Sequence, residues 1–227
     1  MIRQIRDLIP DLERAHIVPF NTTDQERELA VRLGIPMYAA DPRYFAFGTK
    51  SGGRQIFTDE GVSHPLGREN ITGFDALVQA VAEMQSQKPT LSGVVVKLNE
   101  GVSGMGNAFV ELGALPEPGA AEQLDAIANK LRAMRFELDN ITFDDYIDKL
   151  SSNGAIVEEL IQGEQFHSPS VQMRITPLGE VEILSTHDQV LGGPSGQSYL
   201  GARFPADPNY ATLITREAAK IGARFVR

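Results

Sequence analysis

The stretch that decides the fold is Gly93–Leu112, which reads GVVVKLNEGVSGMGNAFVEL. It opens with a valine run that leads to Lys97, and β-branched runs of this kind predict a buried strand. Glu100–Gly106 is rich in glycine, and Asn107–Leu112 again has strand character. Because glycine has no Cβ, the backbone N–H groups of such a turn can converge on an anion. The stretch predicts a β-hairpin whose turn covers phosphates beside a lysine, with a plain hairpin turn and a solvated lysine as the alternative.

Other phosphate-binding loops require a different context. A Walker loop needs the pattern G-x-x-x-x-G-K-[ST] before a helix, and a dinucleotide-binding fingerprint also needs a helix after its glycines. Here a strand-like segment follows the glycines. Protein kinases use a Gly-rich flap as well, but no H-R-D or D-F-G occurs downstream. The sequence therefore favours a flap in a hairpin.

Two further segments carry groups suited to a nucleotide. Lys50 precedes a predicted helix over Ser51–Glu60, where free backbone N–H groups and a lysine can meet a phosphate. Gly154–Ile161 predicts a strand that offers backbone groups to an adenine edge, with carboxylates nearby for ribose. A surface lysine and an exposed edge strand are the respective alternatives.

The order of these segments resembles the ATP-grasp family of carboxylate–amine ligases. Lys50 comes first, then Lys97 with its flap, then the Glu158–Glu159 strand, and Gly61–Pro65 (GVSHP) is similar to the family's G-[VI]-P-x-P link. The resemblance covers about residues 45–227. It implies an α+β (mixed α/β) fold with a Gly-flap lid subdomain and a C-terminal subdomain of sheet and helix.

The resemblance also implies roles for individual residues. The two lysines would contact the phosphates, the flap would cover the β- and γ-phosphates, and the Glu158 strand would line adenine, with Glu164 at the ribose. The implied ATP-binding residues are Lys50, Lys97, Ser103, Gly104, Met105, Gly106, Glu158, Glu159, Leu160, Ile161 and Glu164.

The resemblance further implies a division into four parts. Residues 1–45 would be the end of a preceding α/β domain, and 46–90 a helical linker with the first part of the ATP-grasp core. Residues 91–154 would form the lid, and 155–227 an incomplete C-terminal subdomain.

The sequence departs from the family at the metal site. ATP-grasp enzymes hold Mg²⁺ with acidic residues and an Asn in an E-x-N-x-R pattern, and no such pattern occurs in this chain. The expectation is a truncated piece of a longer ligase, inactive alone, or a naturally short relative. Asp188 is a candidate metal ligand, and Arg203 is a candidate catalytic residue for a carboxylate or acyl-phosphate. A turn residue and a surface arginine are the alternatives.

Composition excludes several classes of protein. The chain has 227 residues, 21 Lys+Arg against 30 Asp+Glu, a net charge of −9 and no Cys. Disulfide scaffolds, thiol nucleophiles and thiolate zinc sites are therefore excluded, and nucleic-acid or anionic-membrane binding is disfavoured. No apolar run approaches the roughly 20 residues needed to span a bilayer. We expect a cytoplasmic protein, with an exposed sheet edge favouring a homo-oligomer.

The implied activity uses ATP and Mg²⁺. ATP would phosphorylate a substrate carboxylate, and an amine would displace the phosphate to form an amide, with an amino acid or small peptide as the preferred substrate class. The alternatives are a nucleotide-binding module without chemistry and a kinase-like phosphotransferase.

Overall fold

The structure, a computed structural model, describes residues 1–193 and 196–227. The chain divides into two units, Met1–Thr49 and Lys50–Arg227. The glycine, serine and proline content of Gly192–Gly201 predicts a loop there, and its positions 194 and 195 lie outside the described residues.

The first unit is built from short helices. Thr23, with Glu26 three residues later, predicts a helix over Thr23–Leu33 that Gly34 ends. Helix α2 confirms it, with a Thr23–Glu26 capping box at its start and Gly34 at its end in the left-handed region, at φ 72°. The sequence predicts a short strand over residues 16–20 and an extended segment over 35–42, as parts of a β-α-β unit. That prediction is wrong, since this part of the chain forms only one parallel bridge, Ile17 to Met37. The helices are α1 (Ile2–Asp7), α2 (Asp24–Leu33) and α3 (Phe45–Gly48), with 3₁₀ turns at Leu12–Arg14 and Pro42–Tyr44.

The second unit contains a five-stranded antiparallel sheet, in the order β1-β5-β2-β3-β4. Its central hairpin, β2–β3, is the one that the valine run and the glycines predict. The strands are β1 (Gly67–Ile71), β2 (Gly93–Leu98), β3 (Asn107–Glu111), β4 (Arg135–Phe136) and β5 (Ala155–Glu159).

Helices cover one face of this sheet, and the opposite face carries charged groups beside the buried apolar side chains Val95, Phe109 and Ile156. Val94, Val96 and Val157 point into the hydrophobic core. Side chains alternate across a strand, so Lys97 and Glu158 lie on the opposite face. The associated helices are α4 (Lys50–Asp59), α5 (Phe74–Gln87), α6 (Gln123–Arg132) and α7 (Phe143–Asn153).

A second antiparallel sheet, in the order β6-β7-β8, packs against the last helix. Gly222 of that helix lies so close to the sheet that a Cβ there would stand 2.5 Å from Val181. The alternating runs Ser170–Thr176 and Glu180–Thr186 predict a hairpin, which the pairing of β6 with β7 confirms. Ser198–Gly201 belongs to strand β8, which corrects the loop predicted over Gly192–Gly201. The elements are β6 (Pro169–Ile175), β7 (Val181–Gly192), β8 (Ser198–Arg203) and α8 (Pro208–Val226).

The α+β architecture is therefore confirmed. The division into linker, lid and C-terminal subdomain stays a prediction. Within the described ranges, no helix combines the length and the apolar character that crossing a bilayer requires.

Candidate nucleotide site

A cavity of about 440 Å³ in the second unit brings the two predicted lysines and the Gly-rich turn together. The residues of its other walls belong to no local sequence motif. They lie on separate strands and loops, and only the fold brings them together. The lining residues are Lys50, Lys97, Gly101, Ser103, Gly104, Asn107, Ser168, Gln189, Leu191, Gln197 and Tyr199.

Lys97 reaches the cavity from β2, on the face of the sheet that the core helices do not cover. Its side chain is 22% exposed and its ammonium forms an ion pair with Glu158 of β5. The two residues are diagonal neighbours, because Lys97 is in register with Ile156. The carboxylate holds the ammonium at the cavity wall.

Lys50 enters from the first residue of α4. Asn99 ties this helix start to the hairpin, accepting hydrogen bonds from the Ser51 N–H at 3.1 Å and the Ser51 hydroxyl at 2.8 Å. The Lys50 Nζ donates to the Gly101 carbonyl at 2.5 Å. Burial, and then the charge of Lys97, lower the pKa of Lys50, while Glu158 opposes them. An anion in the cavity would stabilise the charged form of Lys50 against both burial and the charge of Lys97. The site therefore favours a negatively charged ligand.

The flap, the Gly-rich stretch Glu100–Gly106, forms a tight turn whose base contacts Tyr146 of α7. Ser103 and Gly104 both have positive φ, 53° and 88°, and the Asn107 N–H closes the turn on the Gly104 carbonyl at 2.9 Å. The buried Tyr146 hydroxyl, which sequence reasoning missed, lies 3.1 Å from the Val96 carbonyl and 3.0 Å from the Gly106 carbonyl. Burial raises the pKa of Tyr146, so it stays neutral and fixes the base of the hairpin.

The predicted adenine and ribose residues are absent from the described lining of the cavity. Glu158 is engaged by Lys97, and Glu159 pairs with Lys88. The Leu160 N–H donates to the Gly93 carbonyl at 3.0 Å. Ile161 and Glu164 follow in an exposed loop, and Met105 is an exposed flap residue. Their roles stay predictions.

Asp188 and Arg203 lie opposite each other in the register of β7 and β8. Asp188 accepts hydrogen bonds from the Asp207 N–H at 2.9 Å and the Tyr210 hydroxyl at 2.6 Å, at the start of α8. The Tyr210 bond is the main cause that lowers the pKa of Asp188, and it raises the pKa of Tyr210 to about 12. Neighbouring Gln189 lines the cavity, whereas Asp188 is absent from the described lining. These bonds tie Asp188 to the start of α8. The metal role of Asp188 and the catalytic role of Arg203 stay predictions.

The described cavity lining does not fit a Mg²⁺ ion. Hard divalent cations prefer carboxylate oxygens, and no carboxylate occurs among the lining residues. Over residues 1–193 and 196–227, no group of three or more His, Cys, Asp or Glu side chains is arranged to hold a metal.

The comparisons with known proteins find one family model that matches part of the chain and two similar proteins. A family model described as "IQCH-like, ATP-grasp" matches residues 44–130, which include Lys50, Lys97 and the flap. The chain is 28% identical over 226 residues to L-propargylglycine–L-glutamate ligase of Streptantibioticus cattleyicolor, covering 98% of this chain and 44% of that protein. It is 26% identical over 248 residues to IQ motif-containing protein H of Danio rerio, covering 97% of this chain and 23% of that protein.

A solved structure shares the fold. The crystal structure of a biotin carboxylase–β-γ-ATP complex from Campylobacter jejuni superposes with a TM-score of 0.66 at 17% identity, over 98% of this chain and 45% of that one. The chain therefore spans less than half the length of each of these relatives.

Proposed function

We propose that this chain is an ATP-grasp protein that binds ATP in the 440 Å³ cavity, as the ATP-binding portion of a carboxylate–amine ligase. The observation that carries the proposal is the convergence of Lys50, Lys97 and the Ser103–Gly104 turn on one cavity. Two ammonium groups and a Gly-rich turn form a set of donors suited to a polyphosphate.

In the proposed reaction, a substrate carboxylate oxygen attacks the γ-phosphorus of ATP and the bond to ADP breaks. An amine then attacks the acyl carbon, phosphate leaves with the electrons of the acyl–oxygen bond, and the amine loses a proton. Lys50 and Lys97 would bind the phosphates and offset charge as it shifts, and the flap would exclude water.

For the substrates we propose an amino acid on the carboxylate side and an amino compound as acceptor. The support is the similarity to L-propargylglycine–L-glutamate ligase, whose name records two amino acids. A second candidate is a nucleotide-binding module without ligase chemistry. It is favoured by the described lining of the cavity, which offers lysines to the phosphates but no carboxylate to a metal ion.

Calorimetric titration of ATP into the full chain tests the nucleotide site. We expect Lys97→Met to weaken ATP binding by more than about tenfold, since a charged hydrogen bond to phosphate is lost. Lys88→Met is the matched control, because Lys88 also pairs with a β5 carboxylate, Glu159, but lies outside the described cavity lining. ATP affinity in Lys97→Met equal to that of Lys88→Met would refute the site.

Turnover separates the two candidate functions. Incubation with ATP and a mixture of amino acids, followed by mass spectrometry, should give ADP, phosphate and a new amide if the chain is a competent ligase. ATP binding without any product would favour the binding module.

A further inference from the structure

Arg54 is a buried cation that the proposed site does not yet use. It lies on α4, one turn after Lys50, and is only 5% exposed. Its guanidinium donates to Glu69 Oε1 at 2.5 Å, to Glu158 Oε2 at 3.1 Å and to the Pro65 carbonyl at 3.0 Å. Burying a charge is costly unless it is fully paired, so this set of partners fixes the guanidinium in one position.

The backbone of β1 leaves room for this arginine. A Cβ on Gly67 would lie 2.7 Å from Arg54 Nη2 and 2.5 Å from the Val157 carbonyl. A side chain at position 67 would therefore collide with the guanidinium and with the backbone of β5.

Glu158 is shared between this arginine and the cavity. One carboxylate oxygen accepts from Arg54, and the other pairs with Lys97. Its side chain is only 12% exposed, so solvent compensates little of its charge. If Lys97 were its only partner, the two would form a neutral pair, and little of the lysine's charge would remain for an anion.

Counting the charges of this network shows what Arg54 adds. The cations are Lys50, Lys97 and Arg54, and the carboxylates are Glu69 and Glu158. The network therefore keeps one net positive charge next to the cavity, and loss of Arg54 removes it.

We infer that Arg54 is a positioning residue for the polyphosphate, holding and part-neutralising Glu158 so that Lys97 stays available to the anion. The inference rests on the proposed function. It requires that replacing Arg54 weakens polyphosphate binding more than nucleoside binding, since the effect acts on charge.

The test is calorimetric titration of ATP and of adenosine into the full chain. Arg54→Met should bind ATP roughly tenfold more weakly, with a much smaller change for adenosine, and Arg54→Lys should recover part of the loss. Arg68→Met is the matched control and should keep wild-type affinity, because Arg68 pairs with Glu83 at the surface, at 2.8 Å. Equal weakening of ATP and adenosine in Arg54→Met, or no weakening, would overturn the inference.

Glu69→Gln should change ATP affinity in the opposite direction, and it tests the inference even if Arg54→Met does not fold. It removes a carboxylate from the network and leaves all three cations, so ATP should bind more tightly than to wild type. Weaker ATP binding in Glu69→Gln would mean that the network acts through structure alone, which contradicts the inference. If the wild-type chain binds neither ligand, the proposed function itself fails, whereas loss of the Arg54 effect alone leaves it intact.

Discussion

At the scale of single residues, Lys50 differs from an ordinary surface lysine because its charge is poorly compensated. Its ammonium is half-buried, bonded to a carbonyl, and close enough to Lys97 for the second charge to lower its pKa. A phosphate in the cavity would stabilise the charged form, so binding and protonation of Lys50 are linked.

This linkage predicts a pH dependence for ATP binding. Because the pKa of Lys50 is lowered, the ammonium loses its proton below the ordinary lysine value of about 10.4. ATP affinity should therefore fall as pH rises into this range, and binding there should take up protons. Calorimetry in buffers of different ionisation enthalpy measures the uptake. Lys50→Arg is the control, because a guanidinium does not titrate there, and an unchanged proton uptake in that variant would rule Lys50 out.

At the scale of elements, the flap depends on close approach as well as on conformation. Gly104 has φ +88°, and a Cβ there would lie 3.0 Å from the Gln197 carbonyl. Gly119 has nearly the same φ, +86°, but a Cβ there would meet nothing within 4 Å. Substituting alanine at each of these two glycines therefore distinguishes two destabilising effects. Both variants strain a left-handed backbone, but only the variant at Gly104 crowds the flap against Gln197, the residue before β8.

We therefore expect Gly104→Ala to weaken ATP binding and Gly119→Ala to leave it unchanged. Both should lose about 1 kcal/mol of unfolding free energy from the backbone conformation alone, and Gly104→Ala should lose more. Chemical denaturation and ATP titration of both variants measure the two effects. Equal ATP affinities would show that the flap does not need its contact at Gln197.

The elements that sequence predicts are those whose signals are local. The β2–β3 hairpin follows from valines and glycines within 20 residues, and helix α2 from a capping pair three residues apart. Strand β1 has the sequence GRENI, with a single β-branched residue and no alternation of apolar and polar residues, so it lacks the pattern that predicts a strand. Its polar side chains bind other charged groups instead, Glu69 pairing with Arg54 and Arg68 with Glu83. The Arg54–Glu158 pair joins residues 104 positions apart. Only the folded sheet brings such partners together.

At the scale of the whole molecule, the two units differ in how much apolar surface they bury. The hydrophobic core cluster runs from Ile71 to Val157 and lies within the second unit. In the first unit the buried apolar side chains are Ala30, Leu33 and Ile35. Local stability follows buried apolar contacts, so the helices of Met1–Thr49 should open more easily than the β2–β3 hairpin.

Hydrogen exchange read by mass spectrometry tests this difference together with the ligand site. Amides of residues 1–49 should exchange faster than those of β2 and β3. ATP at about 100 times its dissociation constant should add roughly 2.7 kcal/mol to unfolding of the unit that binds it. Because both lysines and the flap belong to Lys50–Arg227, the added protection should appear there and not in residues 1–49. Protection confined to the first unit would place the nucleotide outside the cavity and contradict the proposed site.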